Sequence, residues 1–144
     1  MSDEQHFRKL ERMYAAAPIN AWFKPTLVVS AGAADVRIPV RPDFHHPAGA
    51  VHGALYFKAL DDATFFAANS LVQDVFVLTA HFELDLLRPV VAGELRAVAR
   101  VTERDERRIS AEGELFDAEG SVIARGRGTF ARSKISLTPA VHYA

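Results

Sequence analysis

Hydrophobic residues follow a helical period in the first half of this chain and mostly a strand period in the second. Near the amino terminus they recur at helical spacing behind a capping box formed by Ser2 and Gln5, and Pro18 ends the run. The pattern predicts a short amphipathic helix within residues 1–20, packed by one face only.

Two strand patterns come next. Residues Thr26–Ser30 form a short apolar run, and a turn at 31–33 leads into strict alternation of apolar and polar residues over 34–41. Pro39 interrupts this second strand. Because proline cannot donate a hydrogen bond to a neighbouring strand, it indicates an edge position or a strand end.

Residues 51–70 show no alternation and are rich in alanine, leucine and phenylalanine, so they predict a long helix with apolar residues on nearly every side. Such a helix should be mostly buried. It nevertheless carries Asp61 and Asp62. A buried carboxylate is costly unless it is paired, hydrogen-bonded or used in chemistry, so the two acids are the first indication of an enzyme.

The rest of the chain alternates again. Four segments, separated by short turns, lie at 76–87, 95–102, 109–115 and 122–130. Short connections between consecutive strands predict an antiparallel meander, and the tail at 133–144 lacks periodicity and should be irregular. We therefore predict a single α+β domain over 1–144, in which an antiparallel sheet of five to six strands wraps around the long helix.

Composition narrows the function. The 144 residues include 17 basic and 18 acidic residues without a clustered basic face, so no nucleic-acid partner is expected. The absence of cysteine excludes disulfides, thiolate metal sites and a cysteine nucleophile. The sequence contains neither a membrane-length apolar run nor the apolar centre of a signal peptide, so we expect no membrane partner and a cytoplasmic location.

Two motifs carry a family resemblance. The first is H-G-A at 52–54 with Asp61 nine residues after the histidine, and the second is L-R-P at 87–89, shortly before Gly93. Together they resemble the hot-dog acyl-CoA thioesterases of the PaaI type, whose long helix opens with H-G-G. The similarity spans residues 31–132, includes the order of elements, and implies the hot-dog fold.

The resemblance assigns roles to four residues. Asp61 takes the position of the acid that acts as general base on water or as nucleophile at the thioester carbonyl. Gly53 takes that of the residue whose backbone N–H polarises the carbonyl oxygen, at a helix end that favours negative charge. His52 would orient the loop or the carbonyl, and Thr79 falls where relatives place a hydroxyl that holds the attacking water.

The chain departs from the family pattern at two positions. His46 stands where many relatives carry an asparagine that contacts the base or the water, and it adds a titratable group. Ala54 replaces the second glycine of H-G-G, which adds a methyl group near the path of the thioester and could narrow the substrate range.

The acyl chain is expected beside Phe57, Phe65 and Phe66. Arg104 and Arg107 are either contacts for the phosphates of CoA or simple solubility charges. The resemblance also implies a site formed between subunits, and hence a homodimer or a dimer of dimers. No cofactor is implied.

The charged residues and the histidines also allow other roles. Asp61 could be a helix carboxylate paired with Lys58, although Asp62 is the stronger candidate for that ion pair, since adjacent helix residues point about 100° apart. His45, His46 and His52 could bind a metal, but H-H-x5-H is not a zinc spacing, so no metal is predicted.

Two alternative functions stay open at this point. One is a hot-dog dehydratase or hydratase, suggested by the histidine and proline at 45–47, but the acid expected about fourteen residues later would fall on Ala59 or Leu60. The other is a non-catalytic acyl-CoA-binding protein, which the departures at His46 and Ala54 favour.

Overall fold

A computed structural model describes all residues from 1 to 144. The predicted order of a helix, two strands, a long helix and four strands is confirmed, and so is the α+β class. A short helix at 20–23 was not predicted. The helices are α1 Asp3–Ala16, α2 Asn20–Phe23 and α3 Gly53–Asn69; the strands are β1 Thr26–Ser30, β2 Ala33–Pro39, β3 Val75–Leu86, β4 Glu94–Arg104, β5 Arg108–Phe116 and β6 Val122–Ser136.

The six strands form one antiparallel sheet in the order β1-β2-β4-β5-β6-β3. The predicted meander is correct for β4 to β6 and wrong for β3, which pairs with β6 at the sheet edge. Both sides of β4 are already taken by β2 and β5. The connection at 87–93 can extend over roughly 24 Å, enough to cross three strand spacings of about 4.8 Å each.

The prediction of an irregular tail is wrong for its first part. Strand β6 continues to Ser136, which lies opposite Val75 of β3, although the last residues of the strand show no regular burial. Backbone groups make the hydrogen bonds of a ladder, so pairing can persist where side-chain alternation has stopped. Beyond the strand, a single 3-10 turn at 139–141 leads to the buried Tyr143.

Helix α3 lies across the inner face of the sheet, and its buried residues form the centre of the core. Glycine in β6 permits this close approach. A methyl group built on Gly126 would fall 2.7 Å from Cζ of Phe82 and 3.4 Å from Cβ of Leu60. The close packing of Phe82 and Leu60 against β6 therefore requires glycine at this position. None of the helices combines the length and the hydrophobicity that a membrane span requires.

A buried histidine joins the two ends of the chain. The His6 side chain is fully buried, with Nε2 2.9 Å from the Asn69 carbonyl oxygen and Nδ1 2.7 Å from the Tyr143 hydroxyl. Because a carbonyl only accepts hydrogen bonds, Nε2 carries a proton, and Nδ1 shares a hydrogen bond with the Tyr143 hydroxyl. The pair fastens the carboxyl terminus to α1 and to the end of α3.

Replacing Tyr143 by phenylalanine should therefore lower the free energy of unfolding by about 1–3 kcal/mol, because Nδ1 of His6 would be left buried without a partner. Urea unfolding at pH 7.5 measures the change, and the slope with denaturant should stay the same. An unchanged midpoint would show that the hydrogen bond does not contribute to stability.

Candidate active site

Asp61 occupies the middle of α3, where its half-buried side chain faces β3. Its Oδ1 accepts a hydrogen bond of 2.9 Å from the Thr79 hydroxyl. Burial raises the pKa of Asp61 to about 6, and the Asp62 carboxylate adds to that effect; the Thr79 hydrogen bond and the Lys58 ammonium oppose it. The carboxylate is thus a stronger base than an exposed aspartate and is ionised at neutral pH.

Asp62 points to the other side of the helix. Its Oδ2 accepts hydrogen bonds from Lys58 Nζ at 2.7 Å and from the Tyr14 hydroxyl of α1 at 2.5 Å. The prediction that Asp62 pairs with Lys58 is confirmed. The alternative, in which Lys58 pairs with Asp61, is wrong because the Lys58 ammonium is bound to Asp62. Of the two acids, only Asp61 is left without a cation.

Changing Thr79 to valine should move the acid limb of the pH–rate profile to higher pH. The hydroxyl hydrogen bond stabilises the ionised carboxylate and lowers its pKa. Without it, the pKa of Asp61 rises further above 6, and more of the base is protonated at neutral pH. Thr79→Ser, which keeps the hydroxyl, is the matched control. A valine variant with the parental profile would contradict the assignment.

The amino end of α3 offers an unpaired backbone donor. His52 is the N-cap residue, and its Nδ1 accepts the Ala54 N–H at 2.9 Å. The N–H of Gly53, the first residue of the helix, has no acceptor in the structure. His52 therefore orders the loop and the helix end, while Gly53 presents a free donor where the helix dipole is positive.

The structure does not bring His46 to the base. Its Nδ1 accepts the Ala48 N–H at 3.1 Å, and the ring makes no hydrogen bond with Asp61 of the same chain. His45 bonds through Nε2 to the Val91 carbonyl oxygen at 2.7 Å. No group of three His, Cys, Asp or Glu side chains is arranged to hold a metal ion.

Gly53 and Asp61 lie far apart within one chain. Eight residues of α-helix separate them, which corresponds to about 12 Å along the axis. One thioester carbonyl cannot contact both at hydrogen-bond distance. A single chain therefore holds the Asp61 carboxylate and the free Gly53 N–H at separate points along α3.

The predicted substrate-binding residues are equally dispersed. Phe57 is 40% exposed and packs edge-on against Phe82, with 5.1 Å between ring centroids, whereas Phe65 is half-buried among Phe66 and other core rings. Ala54 is exposed at the helix start. Arg104 and Arg107 lie on the β4–β5 hairpin, which shares a surface cavity of about 510 Å³ with Leu71 and Val72, at the carboxyl side of α3.

Sequence reasoning missed Tyr14. Its hydroxyl reaches Asp62 from α1, and its ring packs edge-on against Phe66 at 5.0 Å. In the sequence, Tyr14 continues the helical spacing of apolar residues in α1, a pattern that is typical of a core residue. A buried tyrosine hydroxyl needs a partner, and that requirement was the only available signal.

Comparison with known proteins identifies the family. The model of the thioesterase superfamily matches residues 48–124, which is more than half of the chain. The chain belongs to the thioesterase superfamily. A protein of Saccharolobus solfataricus that has been proposed to be an esterase is 23% identical to this thioesterase-superfamily chain over 127 residues, covering 88% of this chain and 87% of the relative.

Solved structures confirm the PaaI-type hot-dog architecture. The PaaI protein from the phenylacetic acid degradation operon of E. coli superposes with a TM-score of 0.85 at 22% identity, covering 94% of this chain and 99% of that protein. A phenylacetic acid degradation-related protein of Ralstonia eutropha JMP134, proposed to be a thioesterase, has a TM-score of 0.77 at 26% identity, covering 88% and 98%.

Proposed function

We propose that this thioesterase-superfamily protein hydrolyses an acyl-CoA thioester to the free acid and CoA. The observation that carries the proposal is the Asp61 carboxylate, which is half-buried, has a raised pKa and is held by Thr79. It would remove a proton from water as the water oxygen attacks the carbonyl carbon. The C–S bond then breaks, and the proton passes to the departing thiolate, so that CoA leaves as the thiol.

The same carboxylate could instead attack the carbonyl directly. An acyl–Asp61 anhydride would then form with loss of the CoA thiolate, and water would cleave it in a second step. Both routes need a donor for the carbonyl oxygen. Gly53 N–H is the best donor available, because it is unpaired and lies at the positive end of α3.

The 12 Å between these groups supports a site shared by two subunits. Strand β3 is an edge of the sheet, and both Asp61 and Gly53 lie beside it. Asp61 contacts Thr79 of this strand, and Cδ1 of Leu86 lies 3.3 Å from where a Cβ atom on Gly53 would be. Antiparallel pairing of two β3 strands about a twofold near Phe82 would bring Thr79 of one chain opposite Leu86 of the other. Gly53 of one subunit would thereby approach Asp61 of its partner.

Exposed apolar side chains favour this dimer. Large hydrophobic residues that are about 40–60% exposed in the isolated chain line β3, the start of α3 and the connection after β3. They are Phe57, Leu78, Leu86, Leu87 and Val91. We propose a homodimer that buries them; a dimer of dimers built from two such pairs is the larger form of the same proposal.

Within that assembly, Phe57 and Phe65 would line the acyl site, with the methyl group of Ala54 at its entrance. Arg104 and Arg107 are exposed, make no ion pair, and are available for the phosphates of CoA. A cytoplasmic location is part of this proposal.

A thiol-release assay tests the proposal. The protein would be mixed with aromatic acyl-CoAs (phenylacetyl, hydroxyphenylacetyl, benzoyl) and with medium-chain aliphatic ones. Because the chain has no cysteine, a thiol reagent reports released CoA without background from the protein. Release from at least one substrate in proportion to enzyme is expected. No release across the panel would contradict thioester hydrolysis.

The second candidate function is acyl-CoA binding without turnover. His46, which bonds within its own loop, and the exposed Ala54 favour it, because both depart from the family's catalytic pattern. Titration calorimetry with the same panel separates the two functions. Tight binding with no thiol release would select the binding protein.

A further inference from the structure

The ammonium of Lys58 is the one cation close enough to neutralise Asp61. On a helix, Lys58 is three residues before Asp61 and four before Asp62, and both spacings allow an ion pair. A base locked to a lysine would be less able to accept a proton from water. The position of this ammonium therefore matters for the proposed reaction, on which this inference rests.

Three groups hold Lys58 on the side of α3 that faces α1 and α2. Asp62 pairs with its Nζ at 2.7 Å, and the ammonium lies 5.4 Å from the Tyr14 ring centroid and 4.9 Å from that of Phe23. Tyr14 also donates its hydroxyl to Asp62. The side chains of Lys58 and Asp62 are only 12% and 18% exposed, so water competes little for the pair.

We propose that Asp62 is a positioning residue, which, together with Tyr14 and Phe23, holds Lys58 away from Asp61 and so keeps the base free. In the sequence K-A-L-D-D at 58–62, the carboxylates of Asp61 and Asp62 are both at a spacing that allows an ion pair with Lys58. The Tyr14 hydroxyl of α1 bonds to Asp62 and thereby favours the Lys58–Asp62 pair. Helix α1 would thus act on the reaction without touching substrate.

The groups whose charge acts on Asp61 are few. Lys58 and Asp62 share its helix, Tyr14 of α1 is hydrogen-bonded to Asp62 on the far side of that helix, and β3 contributes the uncharged Thr79 hydroxyl. Loss of the Asp62 charge has a direct effect, because it removes a like charge. It also has an indirect effect, because Lys58 becomes free to turn toward Asp61. Both effects lower the pKa of Asp61.

The test compares Asp62→Asn with the double variant Asp62→Asn/Lys58→Met. In the single variant, the acid limb of the pH–rate profile should move down by about one unit or more, and kcat/KM at pH 7.5 should fall roughly tenfold as Lys58 pairs with the base. In the double variant, the acid limb of the pH–rate profile should lie within about half a pH unit of the parental limb, and kcat/KM at pH 7.5 should recover most of its parental value. A merely structural role for Asp62 would not be rescued by removing a second residue.

The proposal would be overturned if the single variant kept the acid limb of the parent. It would also be overturned if the double variant were no more active than the single one. Tyr14→Phe keeps the Lys58–Asp62 ion pair and should also move the acid limb to lower pH, by less than Asp62→Asn does. This variant provides the test if Asp62→Asn is unstable to heating. NMR titration of the Asp61 carboxyl carbon in the same proteins follows the pKa without turnover. If the parent proves inactive, the proposed function fails, while a fall of this pKa in Asp62→Asn would still support the held lysine.

Discussion

Replacing Asp61 by asparagine should reduce kcat for acyl-CoA hydrolysis by about 10³-fold, within the range that positioned general bases contribute. The amide keeps the shape of the side chain and can still bond to Thr79, but it cannot take a proton from water or form an anhydride. Steady-state thiol release at pH 8, above the pKa of Asp61, measures the loss. Asp85→Asn, at an exposed carboxylate of β3, is the matched control and should keep full activity.

The same substitution should make the protein more stable at alkaline pH. Burial raises the pKa of Asp61 from its ordinary 3.8 to about 6, so the folded state favours the protonated acid. The stability that this preference contributes is present below pH 4 and is lost as the pH rises through 6. Asparagine does not ionise, so Asp61→Asn should melt at a higher temperature than the parent at pH 8.

The stability gain should shrink toward acid pH and vanish below about pH 4. Scanning calorimetry at three pH values measures it. Full activity in Asp61→Asn would refute the catalytic assignment. A melting temperature that stays below that of the parent at pH 8 would refute the burial argument.

Replacing Gly53 by proline should lower kcat by about 10²–10³-fold, the typical effect of removing one donor to a developing oxyanion. Proline removes the N–H yet suits this position, since it is favoured as the first residue of a helix. His52, with φ −62° and ψ 140°, already has the extended backbone that a following proline requires.

Gly53→Ala is the matched control because it keeps the N–H. Its methyl group would meet Cδ1 of Leu86 at 3.3 Å, a contact that the leucine can relieve. We expect alanine to reduce kcat by less than about tenfold. If alanine and proline impair the enzyme equally, the N–H is not the donor and the steric effect accounts for both losses.

Mixing the two inactive variants tests the shared site. A heterodimer of Asp61→Asn and Gly53→Pro contains one site with both defects and one with neither, provided that each site takes Asp61 from one chain and Gly53 from the other. Refolding the variants together should restore up to about a quarter of parental activity, because random pairing gives half heterodimers, each with one intact site. No recovery would place both groups in the same chain or exclude the dimer.

Sequence alone determined the features that depend on neighbours along the chain. The capping box at Ser2, the unbroken apolar helix after His52 and the strand alternation each express local periodicity or capping. The Lys58–Asp62 pair is local as well, since four residues on a helix bring two side chains together. The spacing from His52 to Asp61, together with L-R-P at 87–89 and the order of elements, then pointed to the family.

Tertiary structure decided what joins distant segments. Strand β3 pairs with β6, because β4 already has two neighbours. Thr79 meets Asp61, Tyr14 meets Asp62 and Tyr143 meets His6, across separations of 18, 48 and 137 residues. Periodicity predicts which face of an element is buried, but not which residue of another element lies against it. The sequence therefore shows two acids in an apolar helix, and only the packing of α1 and β3 on that helix leaves Asp61 bonded to Thr79 and without a cation.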